Sequence, residues 1–289
     1  MLPYQTLDEA ALALGRNLTL AEKHWFNYSA NKIDFFLYLH NAFFLFLIVS
    51  VAPLPYVFIE FSQYAERMAK FKIQKKITTS FSDMFNCYKD VVKNFFLCGL
   101  PIQILAYPTV QWVGIRTSLP LPSLWEILSQ LIAYILIEDY TFYWLHRFLH
   151  TEWGYEKIHH VHHEFNAPIG ISAPYVHWAE IFVLGLPTSL GPLVIPCHMI
   201  TLYLWIIVRA LDAIHIHSGY EFPWNPINLI PMYVSAEYHD YHHYVGKQSQ
   251  SNFASVFTYC TMIITTTSEN KVKATLLRVI VITSKLSTR

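Results

Sequence analysis

The sequence predicts an all-α, polytopic membrane protein, and its composition and apolar runs both support this fold class. Of its 289 residues, 54% are hydrophobic and only 14% are charged, whereas soluble domains carry about 25% charged residues. Four long apolar runs are also visible along the chain. This composition disfavours a disordered chain and a soluble single domain. The formal net charge of +0 argues against a nucleic-acid partner.

The first two apolar runs, residues 35–59 and 94–115, contain no Asp, Glu, Lys or Arg. Each is long enough to cross the ~30 Å hydrocarbon core of a bilayer, which takes about 20 helical residues. Between them lies a basic segment that includes Arg67, Lys72 and Lys89. The positive-inside rule places this segment in the cytosol, so the N-terminal segment is expected on the luminal side.

The third and fourth runs predict helices that do not simply cross the bilayer. Run 124–145 passes from an apolar stretch into Glu138, Asp139 and an aromatic segment, which indicates a helix that carries its polar end out of the bilayer. Run 181–208 contains no formal charge but has two glycines and three prolines. Proline at this density does not fit one straight span, so we expect a hairpin or a bent re-entrant pair.

Histidine is concentrated in three clusters, which we call the histidine boxes. With 15 His in 289 residues, the pattern HxxHH is expected by chance only ~0.04 times, so two copies are a strong signal. The boxes are 146–150 (HxxxH), 159–163 (HxxHH) and 239–243 (HxxHH), and their histidines are His146, His150, His159, His162, His163, His239, His242 and His243.

The spacing of the boxes predicts a dimetal site. Residues three and four apart share one face of a helix, so each box is expected to direct its imidazoles toward one point. Eight imidazoles exceed the need of one tetrahedral zinc ion, and two metal ions held by nitrogen fit better. The ligand type leaves Fe, Cu, Ni and Zn open. His217 is a candidate further ligand.

Asp139 is a candidate for orienting a ligand ring through its second nitrogen, because it precedes His146 by seven residues and shares its helical face. The alternative is a solvated carboxylate at a helix end.

One site requires all three boxes on the same side of the membrane. Since run 181–208 separates the second box from the third, this run is expected to enter the bilayer and return. The predicted fold is thus an all-α polytopic membrane helical domain with a cytosolic histidine-rich cap that holds the dimetal site. The expected divisions are an N-terminal segment (1–34), the membrane domain (35–260) and a C-terminal tail (261–289).

The boxes resemble those of the membrane-bound fatty acid hydroxylase and sterol desaturase superfamily. Within it, the chain is similar to the plant-type methylsterol monooxygenases, the 4,4-dimethylsterol C4-methyl oxidases, over about residues 1–260. Beyond the boxes, the similarity rests on residues 1–15, Arg16-Asn-Leu-Thr, Ser118-Leu-Pro-Leu-Pro, Ile137-Glu-Asp-Tyr, His217-Ser-Gly-Tyr-Glu-Phe-Pro-Trp and Ala236-Glu-Tyr-His-Asp-Tyr-His-His.

This resemblance implies a diiron oxygenase of the endoplasmic reticulum membrane with its active site facing the cytosol. Such enzymes oxidise a C4 methyl group of a sterol precursor with O2 and with electrons relayed from NADH or NADPH through cytochrome b5 and its reductase. The resemblance also implies other C4-demethylation enzymes as partners. The eight box histidines take the family's ligand positions, and His217 matches its His-Ser-Gly element.

The C-terminal tail departs from the family pattern, because no Gly-Thr-Asp segment follows Cys260. The alternatives are therefore a related diiron oxidase acting on acyl chains or aldehydes, and a non-catalytic variant with an altered tail. A zinc-dependent hydrolase is disfavoured, since its HExxH motif is absent.

Overall fold

The computed structural model describes residues 4–249 and 252–261, and in these ranges the chain is helical, with isolated bridge pairs but no β-strand. Apart from Thr261, the atypical tail 261–289 lies outside the described residues. The α-helices of the described part are α1 (Leu7–Leu14), α2 (Leu20–Ser29), α3 (Asp34–Val51), α4 (Leu54–Phe61), α5 (Ala65–Met68), α6 (Phe81–Asn94), α7 (Leu100–Val113), α8 (Leu124–Leu149), α9 (Glu152–Lys157), α10 (Trp178–Val194), α11 (Met199–Ile216) and α12 (Ala236–Val245).

Three helical stretches in the described part are long and apolar enough to cross a membrane: Asp34–Phe61, Phe81–Val113 and Met199–Ile216. The first contains the predicted run 35–59, and Pro53 lies where α3 gives way to α4. The second joins α6 to α7 through a π-helical turn and extends the run 94–115 toward the N-terminus.

The predicted run 124–145 is a single helix, α8, which extends four residues further to Leu149. This extension matters because it carries His146 and delivers His150 as the C-terminal cap. Ser123 begins the helix by accepting a hydrogen bond from the backbone N–H of Glu126. One continuous helix therefore carries both the apolar residues of run 124–145 and the first histidine box.

The run 181–208 forms a helical hairpin, as the position of the boxes required. Helix α10 ends at Val194, and α11 begins at Met199 and runs back. The Tyr134 hydroxyl of α8 donates to the Ile195 carbonyl in the turn at 2.7 Å. Glu180 near the start of α10 and His217 at the end of α11 both lie among the box histidines. The predicted hairpin in this run is confirmed.

The N-terminal helices α1 and α2 pack into the main hydrophobic core instead of forming a separate unit. That core includes Ala10, Trp25, Leu37 and Trp205, which come from four different helices. The indole of Trp25 also donates to the Thr117 carbonyl at 2.8 Å. Burial of such apolar surface stabilises the helices that frame the histidine boxes.

A buried ionic cluster ties α8 to α11. Arg209 of α11 lies 2.5 Å from a carboxylate oxygen of Glu138 and also pairs with Asp212. A further guanidinium nitrogen donates to Ser255 Oγ at 2.7 Å. Because an unpaired buried charge is costly, the carboxylates and the guanidinium stabilise one another only in this arrangement.

Helices α8 and α10 approach closely at Gly191, and we expect a side chain there to force them apart. A Cβ at Gly191 would lie 2.7–2.8 Å from atoms of the buried Tyr134 side chain, whereas one at Gly185 would meet nothing within 4 Å. Gly191→Ala should cost about 1–3 kcal/mol through overpacking. Gly185→Ala is the matched control and should hold or raise the Tm, because alanine favours the helix by up to ~1 kcal/mol. Thermal unfolding of the detergent-solubilised variants measures both, and equal Tm values would contradict this packing.

Candidate metal centre

The first histidine box occupies the C-terminal turn of α8. His146 and His150 are one helical turn apart, and both are buried. The Nδ1 of His146 donates to the backbone carbonyl of Phe253 at 3.1 Å. This bond links the box to a segment more than 100 residues later in the sequence.

The second and third boxes lie on a 3₁₀ helix, His159–Glu164, and on α12. Ser235 caps α12 by accepting from the Tyr238 backbone N–H at 3.2 Å. The expectation that each box directs its imidazoles to one point is wrong for these two boxes. Adjacent histidines on a helix point in different directions, so each HxxHH box divides between two groups.

Nine buried imidazoles converge in two groups, and within each group the ligand nitrogens all lie within 4.8 Å of one another. The structure brings together all eight box histidines, and His217 joins them. We call the first set group one and the second set group two. Group one is His146, His150, His159, His163 and His242, and group two is His162, His217, His239 and His243.

Hydrogen bonds fix the tautomer of most of these rings. In group two, the Nδ1 atoms of His162, His217 and His243 lie 3.2, 2.7 and 3.1 Å from backbone carbonyls. A carbonyl oxygen only accepts, so each Nδ1 must carry the proton. The Nε2 atom of each of these rings then holds a lone pair that is directed into the group.

These lone pairs face one another without a proton between them. Nε2 of His162 and Nε2 of His217 are 3.1 Å apart, and the Nε2 atoms of His146 and His159 are separated by the same distance. Two unprotonated nitrogens cannot hydrogen-bond, so a cation between them would turn a repulsive contact into an attractive one. The donor set therefore fits a bound metal ion in each group.

The spacing of the nitrogens suits ligands of a shared ion. The Nε2 contacts between neighbouring rings run from 2.9 Å, for His217 and His239, to 3.2 Å, for His159 and His163. Nitrogens ~2.1 Å from one ion lie ~3.0 Å apart at right angles and ~3.4 Å apart at the tetrahedral angle. The observed distances lie in or close to this range, so neighbouring nitrogens are spaced as two ligands of one ion are.

Burial keeps the imidazoles uncharged. Desolvation lowers the pKa of His162 to about 4, and it holds the pKa of His239 and His243 well below the ordinary value of 6.5. Neighbouring imidazoles lower the pKa of His239 and His243 further, because two adjacent rings cannot both carry a proton easily. The neutral ring is the form that binds a metal.

Glu180, rather than Asp139, is the carboxylate that holds a ring. Its Oε1 accepts from Nδ1 of His159 at 2.8 Å, and the residue is fully buried. Asp139 was predicted for such a role, but its Oδ1 accepts the backbone N–H groups of Val256 and Phe257 and none of its hydrogen bonds in the described part of the chain reaches an imidazole. The prediction for Asp139 is wrong because spacing along α8 does not show which side chains of α10 pack against the histidines. The sequence signal that could have indicated Glu180 is its position as the acidic residue directly before the charge-free run 181–208.

His160 and His215 lie outside the two groups. His160 is exposed, and its Nδ1 lies 3.3 Å from the Tyr155 carbonyl. His215 contacts the side chains of Tyr56 and Asn225.

A mostly apolar cavity of about 210 Å³ adjoins both groups. Helices α8, α10 and α11 contribute to its wall, with Phe142, Ile181 and Ala213 among the apolar residues. Five of the nine imidazoles line it: His146, His159, His162, His217 and His239. Any molecule in this cavity would therefore lie next to both candidate metal positions.

Comparisons with known proteins identify relatives along nearly the whole chain. The fatty acid hydroxylase family model matches residues 131–266. Methylsterol monooxygenase 1-1 of Arabidopsis thaliana is 56% identical over 290 residues, covering 100% of this chain and 97% of the relative. Methylsterol monooxygenase 1-2 of the same plant is 60% identical, covering 91% of this chain and 88% of the relative.

A relative with a different name is about as similar to this chain as the two methylsterol monooxygenases are. A very-long-chain aldehyde decarbonylase of Oryza sativa subsp. japonica is 57% identical, covering 90% of this chain and 86% of that protein. No solved structure matches the chain.

The bond between Glu180 and His159 predicts a specific effect on metal retention. Glu180→Ala should weaken metal binding about 10–100-fold, because the ring of His159 loses the acceptor that orients it. Asp139→Asn is the matched control, since its amide oxygen can still accept the two backbone N–H groups. Metal content after graded chelation measures both variants. Equal metal loss in the two variants would assign the orienting role to neither carboxylate.

The lowered pKa values predict that the metal-free protein is unstable in acid. In the unfolded chain each imidazole takes up a proton near pH 6.5, whereas folded His162 does so only near pH 4. The unfolded state therefore binds more protons in this window, and each such ring lowers the unfolding free energy by up to ~1.4 kcal/mol per pH unit as the pH falls. Thermal unfolding of chelator-treated protein between pH 7.5 and 4.5 should show a falling Tm. A flat profile would contradict the burial of neutral rings.

Proposed function

The chain belongs to the fatty acid hydroxylase family, and from that membership we propose that it is a methylsterol monooxygenase. It would oxidise a C4 methyl group of a 4,4-dimethylsterol precursor with O2 in sterol biosynthesis. The observation that carries this proposal is the convergence of nine neutral imidazoles beside an apolar cavity. The 56–60% identity to two methylsterol monooxygenases supports the choice of substrate.

We propose that groups one and two each hold one iron ion, so that the eight box histidines and His217 form a diiron centre. Iron supplies the activation of O2 that an unactivated methyl C–H bond requires, since such a bond offers neither an acidic proton nor a carbonyl to attack. Imidazole is a suitable ligand for iron.

The side chains of the protein contribute positioning and the exclusion of water. Carbonyl oxygens and Glu180 hold the Nδ1 protons, so the rings present their lone pairs without rearrangement. The apolar walls of the cavity favour a lipid over water. Its volume, about 210 Å³, exceeds a 150 Å³ cavity that binds benzene. The cavity therefore suits the A-ring end of a sterol, which carries C4, while the remaining rings would lie outside it.

The reaction also requires electrons, and we propose that cytochrome b5 and its NAD(P)H reductase supply them in the endoplasmic reticulum membrane, as the family resemblance implies. The basic segment between the first two spans supports a cytosolic face for the active site. Other enzymes of sterol C4 demethylation are proposed as neighbours in that membrane.

Complementation tests the substrate and the ligands together. In a yeast strain that lacks its sterol C4-methyl oxidase, the wild-type chain should restore growth and consume 4,4-dimethylsterols, as measured by sterol profiling. His242→Ala should fail to complement and should lose iron, because group one then lacks a ligand. His160→Ala is the matched control within the second box, and it should behave as wild type because its exposed ring belongs to neither group.

Other results would separate the alternatives. Persistent 4,4-dimethylsterols with a well-expressed, iron-loaded chain would contradict sterol oxidation. Consumption of very-long-chain aldehydes by that chain would then favour the activity for which the rice relative is named. Bound iron without turnover of either lipid would indicate a non-catalytic variant. Full activity of His242→Ala would contradict the ligand assignment.

A further inference from the structure

Gly185 in α10 stands apart from the other glycines of the chain. Four glycines, among them Gly15 and Gly114, have a positive φ that favours glycine. Most of the others lie against neighbouring atoms, as Gly191 lies against Tyr134. Gly185 has neither feature, and a Cβ there would meet nothing within 4 Å. Glycine within a helix costs up to ~1 kcal/mol relative to alanine, so this position calls for a different explanation.

The open space at Gly185 is continuous with the cavity beside the histidines. Gly185 lines that cavity together with Ile181 and Leu184 from the preceding turn. It is also an exposed residue, whereas Ile181 and Leu184 are only partly exposed. One residue thus belongs both to the cavity wall and to the outer surface of the molecule, which places the cavity's opening at Gly185.

The surface around this opening is apolar. Phe182 and Leu186, on either side of Gly185 in α10, are 51% and 50% exposed. No charged residue follows Glu180 in the helix. Such a surface is stable against hydrocarbon and unfavourable against water. The opening therefore faces the lipid chains of the bilayer.

We infer that Gly185 forms a lateral portal through which the lipid substrate passes from the bilayer into the cavity. The inference rests on the proposed oxidation of a membrane lipid, and it assigns Gly185 as the residue that limits access. A flat, rigid apolar molecule such as a sterol enters end-on without crossing water. A side chain at position 185 narrows the portal without disturbing helix packing, because no atom lies in its place.

Photolabelling in phospholipid vesicles tests the portal without requiring turnover. The full-length protein is irradiated with a 4,4-dimethylsterol that carries a diazirine, and labelled peptides are mapped by mass spectrometry. Wild type should be labelled at Ile181 and Leu184. Gly185→Trp should reduce this labelling about tenfold, which corresponds to ~1.4 kcal/mol of binding free energy. Gly185→Leu gives a smaller obstruction, should the Trp variant fold poorly.

Leu186→Trp is the matched control, because it adds the same indole to the adjacent exposed position, which does not line the cavity. Its labelling should equal that of wild type. Metal content and Tm should be unchanged in both Trp variants, which separates a blocked portal from misfolding.

The outcomes test the portal and the sterol assignment separately. Unchanged labelling in both Gly185→Trp and Gly185→Leu, or equal loss in Leu186→Trp, would overturn the portal. If a diazirine fatty acid labels the wild-type cavity and the sterol does not, the sterol assignment fails. The portal then stands if Gly185→Trp blocks that fatty acid. Absence of cavity labelling by either probe in wild type would overturn the portal itself.

Discussion

Nitrogen atoms of nine buried imidazoles converge in two small volumes, and neighbouring nitrogens there lie only about 3 Å apart. Unprotonated nitrogens this close repel one another, so the positions of the rings must be imposed by other groups. Carbonyl groups of Phe165, Tyr175, Ala213 and Phe253 impose them by accepting Nδ1 protons. These four carbonyls belong to different segments of the chain. The segments can meet only if the helices between them return to one end of the bundle.

Polar contacts away from the histidines hold these segments together at one end of the bundle. Asp139 accepts the backbone N–H groups of Val256 and Phe257, and the same segment carries the Phe253 carbonyl that holds His146. Arg209 joins Glu138 to Ser255, which fixes α8, α11 and this segment relative to one another. A buried ionic cluster is weak evidence for added stability. Here its geometric consequence is clear, since it ties together the elements whose carbonyl groups orient the histidine rings.

Much of the fold follows from the pattern of apolar runs, and the site follows from the boxes. The hairpin of α10 and α11 was predictable because boxes on both sides of run 181–208 had to share one side of the membrane. Glu180 was not predictable as the partner of His159, since their contact depends on how α10 packs and not on spacing along the chain. The second box was expected on a short helix, and that helix is of the 3₁₀ type. Helical periodicity therefore predicts that the rings lie close together, but it does not predict which of the two groups each ring joins.

The division of the HxxHH boxes shows how a ninth histidine completes group two. Consecutive residues of an α-helix point about 100° apart, so the adjacent pair His242 and His243 cannot face one point, and each ring joins a different group. Both HxxHH boxes thus bridge the two groups and fix the distance between them. Box one serves group one alone, which leaves group two with only three box histidines. His217 is the fourth, and its place at the end of α11 makes the second group depend on the return of the hairpin.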